Sequence, residues 1–315
     1  MVYTELGEKR LSKIVFGCAD FGARLNAQGA FEMMDEYFER GGNVFDTARI
    51  YCEWLEGGAN ASEHILGEWI RSRGVREHVF ISTKGGHPPI DDLHTSRLKK
   101  DELTADINAS LRYLQTDCVD VYYLHRDDNG LPVSEIMPIL DGFVKAGKTR
   151  YLGAANWTAE RMIEANAFAI ENGLTPFTFN QNMWSYATVN AGGETDDTLV
   201  IMDESELSSY KKSNVILMPY GSQAQGFYTK AATSGVENLT PRQKAKYLNE
   251  RNLERLEKVK RISAETGLSP TAIGLAYLLY HKELTVHPVI GAHNKALLND
   301  SLGALALPKE YLDQL

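Results

Sequence analysis

The stretch from Val79 to His125 decides the fold. It opens with Val79-Phe-Ile-Ser-Thr-Lys84, continues through Lys100 to Leu114 (KDELTADINASLRYL), and ends with Val119-Asp-Val-Tyr-Tyr-Leu124-His125. The outer runs are short, apolar and barely alternating, as strands covered on both faces read. The middle run has a helical pattern. A strand, a helix and a second strand in this order make a βαβ unit with parallel strands.

The same alternation extends in both directions. Upstream lie Ile14 to Gly17, a helix over Gly29 to Arg40, Asn43 to Asp46, and a helix over Ser62 to Arg73. Downstream come a helix over Val133 to Ala146, Tyr151 to Ala154, a helix over Thr158 to Glu171, Phe177 to Asn180, Val215 to Met218 and Val286 to Ile290. Eight such strands in an α/β chain of 315 residues predict a closed (β/α)8 TIM barrel, 1–315, as a single domain. An open doubly wound sheet is the alternative. It usually carries Gly-x-Gly-x-x-Gly after its first strand, and Gly17-Cys-Ala-Asp-Phe-Gly22 lacks that spacing. Val2 to Lys13 reads as an N-terminal β-hairpin. Two segments break the rhythm and are expected as long loops, near 191–209 and 228–251.

Composition narrows the function classes. Lys plus Arg is 33 against 42 Asp plus Glu, a net charge of −9, which argues against a nucleic-acid surface. With 43% hydrophobic and 24% charged residues the chain is globular rather than disordered. Its three cysteines, Cys18, Cys52 and Cys118, are too far apart in sequence for a disulfide scaffold. Met1 to Arg10 is polar and unlike a signal peptide, and the apolar stretch Ala272 to Tyr280 is about half of a membrane span. A cytoplasmic protein without membrane or nucleic-acid partners is expected, and the oligomeric state stays open. No His-Glu-x-x-His or Cys/His cluster suggests a metal. His125-Arg126-Asp127 resembles the start of a kinase catalytic loop, but Pro132 stands where that loop needs Asn.

In a (β/α)8 barrel the active site lies at the C-terminal ends of the strands. There the sequence offers Asp46 with Tyr51 in the following loop, then Lys84, His125, Asn156, Asn180-Gln181 and Pro219-Tyr220. Singly, each has an ordinary reading: a turn cap, a solvated lysine, a structural histidine, one of 15 tyrosines. Together they describe a phenol tuned for proton transfer. A Lys beside a Tyr favours phenolate, an Asp holds that Lys charged, and a His can bond a substrate oxygen.

These residues sit in motifs that resemble the aldo-keto reductases over about residues 10 to 305. The motifs are Gly42-Asn-Val-Phe-Asp46-Thr-Ala-Arg-Ile-Tyr51, Ser62-Glu63 with Leu66-Gly67, Ile81-Ser-Thr-Lys84, Asp120-Val-Tyr-Tyr-Leu-His125, Gly147-Lys-Thr-Arg-Tyr-Leu-Gly-Ala-Ala-Asn156 and Asn180-Gln181. The resemblance implies an NAD(P)H-dependent oxidoreductase that interconverts a carbonyl and an alcohol. Tyr51 would be the general acid, Lys84 its partner, Asp46 the holder of Lys84, and His125 the orienting group. Asn156 and Gln181 would hold the nicotinamide carboxamide, and Tyr220 would stack on its ring. The phosphates would lie near Gly221 to Phe227, with Gln223, Gln225 and Gly226, and at the start of the last helix near Gly291 and His293; Leu297 would also line the cofactor, and Asp300 with Ser301 would lie at the adenine. NADP(H) is expected over NAD(H).

The departures bear on the cofactor. Ala155 replaces a usual Ser, Gly-Ser-Gln-Ala-Gln-Gly226 replaces Ser-Pro-Leu-Gly-Arg-Gly, Leu297 replaces Gln, and Asp300-Ser301 replaces Glu-Asn. His293 would face the 2′-phosphate, where a neutral imidazole is a poorer partner than Arg; Lys295 is the nearby cation. For the substrate, Asp20, Phe21, Trp54, His87, Arg126, Trp184 and Tyr186 would mix aromatic and polar walls, suited to an aldehyde, ketone or sugar-like carbonyl. Two other classes compete. One is a cofactor-binding regulatory barrel with little turnover, like the potassium-channel β subunits that resemble this family. The other is a barrel hydrolase using Asp127 and Asp128, whose adjacency is poor geometry for a carboxylate pair.

Overall fold

A computed structural model describes all 315 residues, Met1 to Leu315. The chain begins with strands β1 (Tyr3–Leu6) and β2 (Lys9–Ser12), an antiparallel hairpin. Strands β3 (Val15–Gly17), β4 (Val44–Asp46), β5 (Phe80–Gly85), β6 (Val119–Leu124), β7 (Thr149–Ala155), β8 (Phe177–Gln181), β9 (Ile216–Leu217) and β10 (Val289–Ile290) follow. These eight form one parallel sheet in sequence order, with β10 beside β3. Backbone bonds from Leu217 N to Thr285 O (2.9 Å), His287 N to Leu217 O (2.8 Å) and Val289 N to Pro219 O (2.9 Å) join the last strand to the seventh and close the barrel.

Helices α1 (Ala27–Glu39), α2 (Ala61–Arg73), α3 (Lys100–Leu114), α4 (Val133–Lys145) and α5 (Ala159–Glu171) connect the first six barrel strands. In α3 the buried Leu103, Ile107 and Leu114 recur at helical spacing and face the sheet. The segment expected as a long loop over 228–251 is helical instead. It holds most of α7 (Phe227–Ser234), all of α8 (Pro241–Tyr247) and the start of α9 (Glu250–Thr266). Thr240-Pro-Arg-Gln243 forms a capping box with Pro at the first helical turn, a local signal that the polar composition masks. The 191–209 segment is loop up to α6 (Glu204–Tyr210). The chain ends through α10 (Pro270–Leu279), α11 (Lys295–Leu302) and α12 (Lys309–Leu312). No helix is long and apolar enough to cross a membrane.

Side-chain alternation sets the site. Val15, Val44, Phe80, Val121, Tyr123, Phe179, Ile216 and Met218 pack together as the barrel interior, with Leu11 of the hairpin among them. The alternate residues Phe45, Ile81, Tyr122, Leu124, Leu152 and Ala154 belong to the larger core between strands and helices. The same two-residue period carries the inward rows upward. From Val44 it reaches Asp46, from Phe80 Lys84, from Tyr123 His125, and from Phe179 Gln181. The residues that fill the barrel therefore lead to four polar groups at one mouth.

Candidate active site

Lys84 is 1% exposed and makes three hydrogen bonds. Its Nζ donates to Asp46 Oδ2 at 2.6 Å, to Thr47 O at 2.8 Å and to Tyr51 Oη at 3.0 Å. Asp46 is filled in turn: its Oδ1 accepts from Ser82 Oγ at 2.7 Å and from Gln181 Nε2 at 2.9 Å. A buried ion pair persists only with its spare hydrogen-bonding capacity used, and this one meets that condition. The loop after β4 is pinned to β5 by Thr47 N to Ser82 O (2.9 Å) and Arg49 N to Lys84 O (3.0 Å), which delivers Tyr51 to the lysine. His125 is buried beside them, its ring centroid 5.9 Å from that of Tyr51, and its Nδ1 has no partner.

The electrostatics differ from the sequence expectation at one point. Burial pushes the Tyr51 phenol above its ordinary value, and the neighbouring Lys84 cation offsets this without reversing it. The lysine alone predicted a lowered phenol. Burial also works against the charge on Lys84, but Asp46 and Tyr51 outweigh it, and the ammonium titrates above its usual range. Burial, helped by His87 and Arg126, drives His125 well below the usual imidazole value, so it is neutral near pH 7. The site is a protonated phenol on a fixed cation beside a neutral imidazole. That set can give a proton to an oxygen and take it back.

A cleft of about 360 Å³ opens above these groups, lined by Gly17, Asp20, Asp46, Tyr51, His125, Arg126, Asn156, Gln181, Leu199, Tyr220 and Gly221 among others. Asn156 is held at φ 59, donates to His125 O at 3.2 Å and accepts from Tyr220 Oη at 2.7 Å. Through Asp20, Gly221, Val289 and Gly291 the cleft runs on into a groove of about 590 Å³. Gln223, Gln225, Gly226, His293, Leu297 and Asp300 line this groove, as do Arg24 and Arg242. A Cβ on Gly291 would meet no atom within 4 Å, so its place is open groove. The trough is continuous, with amide groups at one end and three basic residues at the other, a lining suited in length and charge to an extended dinucleotide.

Seven predicted site residues are placed otherwise; of these Tyr186 is 1% exposed and packs against Tyr228 and Tyr277, and His87 lines a hollow outside the cleft. Phe21 is 1% exposed and packs edge-on against Phe16 in the core. Trp54 is 53% exposed and lines neither cavity. Trp184 lines a separate hollow and packs against Tyr277 and His281. Arg126 borders the cleft, but its guanidinium is committed to Thr198 and Asp196. Ser301 is fully buried and reaches the groove through another side chain, accepting from Gln223 Nε2 at 2.9 Å. Asp127 is engaged by Arg161, which removes it from any carboxylate pair. Sequence reading missed Leu199, Arg24 and Arg242. Arg242 sits inside a capping box whose pattern speaks only of helix start, so no signal pointed from it to the groove.

With the geometry in place, comparison with known proteins is direct. The sequence pattern of the Aldo/keto reductase family matches residues 13–315. A norsolorinic acid reductase of Aspergillus flavus is 31% identical, covering 95% of this chain and 74% of its own. An aryl-alcohol dehydrogenase of Pestalotiopsis microspora is 31% identical over 88% of this chain and 68% of its own. An uncharacterized oxidoreductase of Bacillus subtilis is 28% identical over 100% of this chain and 95% of its own. The chain belongs to the aldo/keto reductase family, whose members generally use NAD(P)H, and is an oxidoreductase of the carbonyl/alcohol class.

Proposed function

We propose that this chain reduces a small carbonyl compound to the alcohol, and runs the reverse oxidation, with Tyr51 as general acid and base. The observation that carries this reading is the bonded series Asp46–Lys84–Tyr51 at 2.6 and 3.0 Å, opening on the cleft. A reduced nicotinamide, when bound, supplies the hydride. Tyr51 Oη gives its proton to the carbonyl oxygen, so that hydride and proton together complete the alcohol. The phenolate left behind is held by the Lys84 cation, whose charge Asp46 keeps in place. In the oxidative direction that phenolate takes the hydroxyl proton back. His125, neutral, stands where it can bond the same oxygen.

Asn156 and Gln181 would hold the carboxamide end, and Gly221, Gln223, Gln225, Gly226, Gly291, His293, Leu297 and Asp300 the remainder, with Ser301 acting through Gln223. We infer a preference for NADP(H), supported by Arg24, Arg242 and His293 on one groove. The aryl-alcohol dehydrogenases among the relatives point to aryl alcohols and the matching aldehydes as one substrate class to assay. A protein acting in the cytoplasm on small molecules accords with this reading. The alternative of a regulatory barrel with little turnover separates in one experiment. Purified protein is titrated with NADPH and with NADH by fluorescence, then assayed with benzaldehyde and 2-butanone. Multiple turnovers support the enzyme. Binding with no more than one equivalent converted supports the regulatory barrel, and no binding of either nucleotide overturns both.

A further inference from the structure

One wall of the catalytic cleft comes from a loop and not from the barrel. Leu199 lines the cleft together with Tyr51, His125 and Asn156, and it has no part in the groove that runs on from the cleft. The other large aliphatic side chains there, Val289 and Ile290, belong to β10 beside that groove. Leu199 lies between β8 and α6 and is half-buried. A leucine set among polar groups at the edge of a cleft is apolar surface left for a ligand to cover.

The loop that carries it is fixed at three points. Glu194 pairs with Lys246 of α8. Asp196 and Thr198 are clasped by Arg126, the residue after His125. Its Nε donates to Thr198 Oγ1 at 2.9 Å, its Nη2 to Asp196 Oδ2 at 3.4 Å, and its Nη1 back to His125 O at 3.0 Å. Asp196 Oδ1 accepts from Thr198 N at 3.0 Å, which closes a turn just before Leu199. Just after it, Val200 N donates to Asn156 Oδ1 at 3.4 Å, and Val200 O accepts from Met183 N at 3.0 Å. Leu199 is thus held from both sides on groups that border the cleft, as a selective wall must be. The clasp also sets the charge of this side. A free arginine here would anchor a substrate carboxylate, but Arg126 is 8% exposed and its fork is taken by Asp196 and Thr198. What this side offers a substrate is the leucine.

Resting on the carbonyl-reductase reading above, we propose that Leu199 packs against the apolar body of the carbonyl substrate. Leu199 is thus a specificity-determining residue that favours neutral aryl aldehydes over short aliphatic ones. The test compares benzaldehyde with acetaldehyde at saturating NADPH. The two differ in reactivity as well as in size, so the wild-type preference alone decides nothing. The quantity read is the ratio of kcat/KM for benzaldehyde to that for acetaldehyde in wild type, Leu199→Ala and Leu199→Met.

Leu199→Ala removes most of the wall, and the ratio should fall by about tenfold, the least that such a loss in an apolar pocket is worth. Leu199→Met keeps the apolar volume and should hold the ratio within about threefold of wild type. A loosened loop, or a leucine that touches only the cofactor, would lower both kcat/KM values together and leave the ratio alone. A ratio equal within twofold in wild type and Leu199→Ala, a Leu199→Met ratio as low as that of Leu199→Ala, or a wild type that reduces acetaldehyde and not benzaldehyde overturns the proposal. Wild-type turnover of either aldehyde with any of these results leaves the reductase reading standing and removes only this inference. No wild-type turnover of either aldehyde removes both.

Discussion

At Tyr51 two effects of opposite sign meet. Burial raises the phenol's pKa and the Lys84 cation lowers it, with burial the larger. The result suits reduction, which needs the proton present. A phenol above its usual value of about 10 and an imidazole well below about 6.5 leave neither group titrating between pH 7 and 9. The kcat/KM for carbonyl reduction should accordingly be level over that range. It should fall only as pH rises through the phenol's pKa, where the acid is lost. A reduction profile already declining by tenfold between pH 7 and 9 would show that the phenol is acidified, contrary to the balance described here. Tyr51→Phe removes the proton and leaves the ring. It should lower kcat by about 10² to 10⁴ and leave the NADPH dissociation constant within about twofold. Lys84→Met should behave differently, because it also strands the buried Asp46 carboxylate. Loss of one partner of a buried pair costs about 3 to 5 kcal/mol, so a drop in melting temperature should accompany the loss of turnover. Equal melting temperatures for Lys84→Met and wild type would count against Lys84 as the counter-ion.

At the scale of elements, legibility followed how far a pattern reaches. Strands β3 to β8 and helices α1 to α5 were readable because burial on both faces or on one stripe leaves a local imprint on the residues themselves. The clustering of polar groups was readable for the same reason: the two-residue period inside each strand takes Asp46, Lys84 and His125 to the mouth. What depended on how distant elements meet was not. Phe21 and Trp184 lie in loops of the mouth, as read, yet each turns into packing that no spacing announces. Helix α8 was hidden by a polar composition, and with it Arg242. That helix is tied down on two sides, by Gln243 Nε2 to Gln225 O at 2.9 Å and by the Lys246–Glu194 ion pair. Arg242 thus reaches the groove from a fixed support and not from a free loop. Arg242→Ala should weaken NADPH binding about tenfold, as loss of a charge-assisted bond implies, and change NADH binding less than twofold. Equal losses for both nucleotides in the fluorescence titration would instead place Arg242 at a phosphate common to the two.

For the molecule as a whole, closure of the barrel joins its two ends through one histidine. His287, fully buried, lies just before β10. Its Nδ1 is 3.2 Å from Ser12 O, and its Nε2 is 3.0 Å from Thr4 Oγ1 of the hairpin. The carbonyl can only accept, so Nδ1 carries the proton and Nε2 accepts from the threonine. Burial lowers the pKa of this ring to about 4. The unfolded chain binds a proton near pH 6.5, while the folded one resists it until about pH 4. Its contribution to stability is therefore complete above pH 6.5 and lost as pH falls toward 4, and the shift corresponds to about 3 kcal/mol. Asp127 acts with the opposite sign. Burial raises its pKa to about 6, so acid relieves part of the cost of its folded charge. The net acid limb of the wild type mixes the two, and a single curve does not resolve them. The difference between proteins does. His287→Gln should be less stable than wild type at pH 8, because the hairpin contacts are imperfectly replaced. Between pH 7 and 4.5 it should lose about 2 to 3 kcal/mol less in denaturant unfolding than wild type does. Parallel losses in the two proteins would mean that His287 takes up its proton in the folded barrel as readily as in the unfolded chain, and that the junction between hairpin and last strand is open to water.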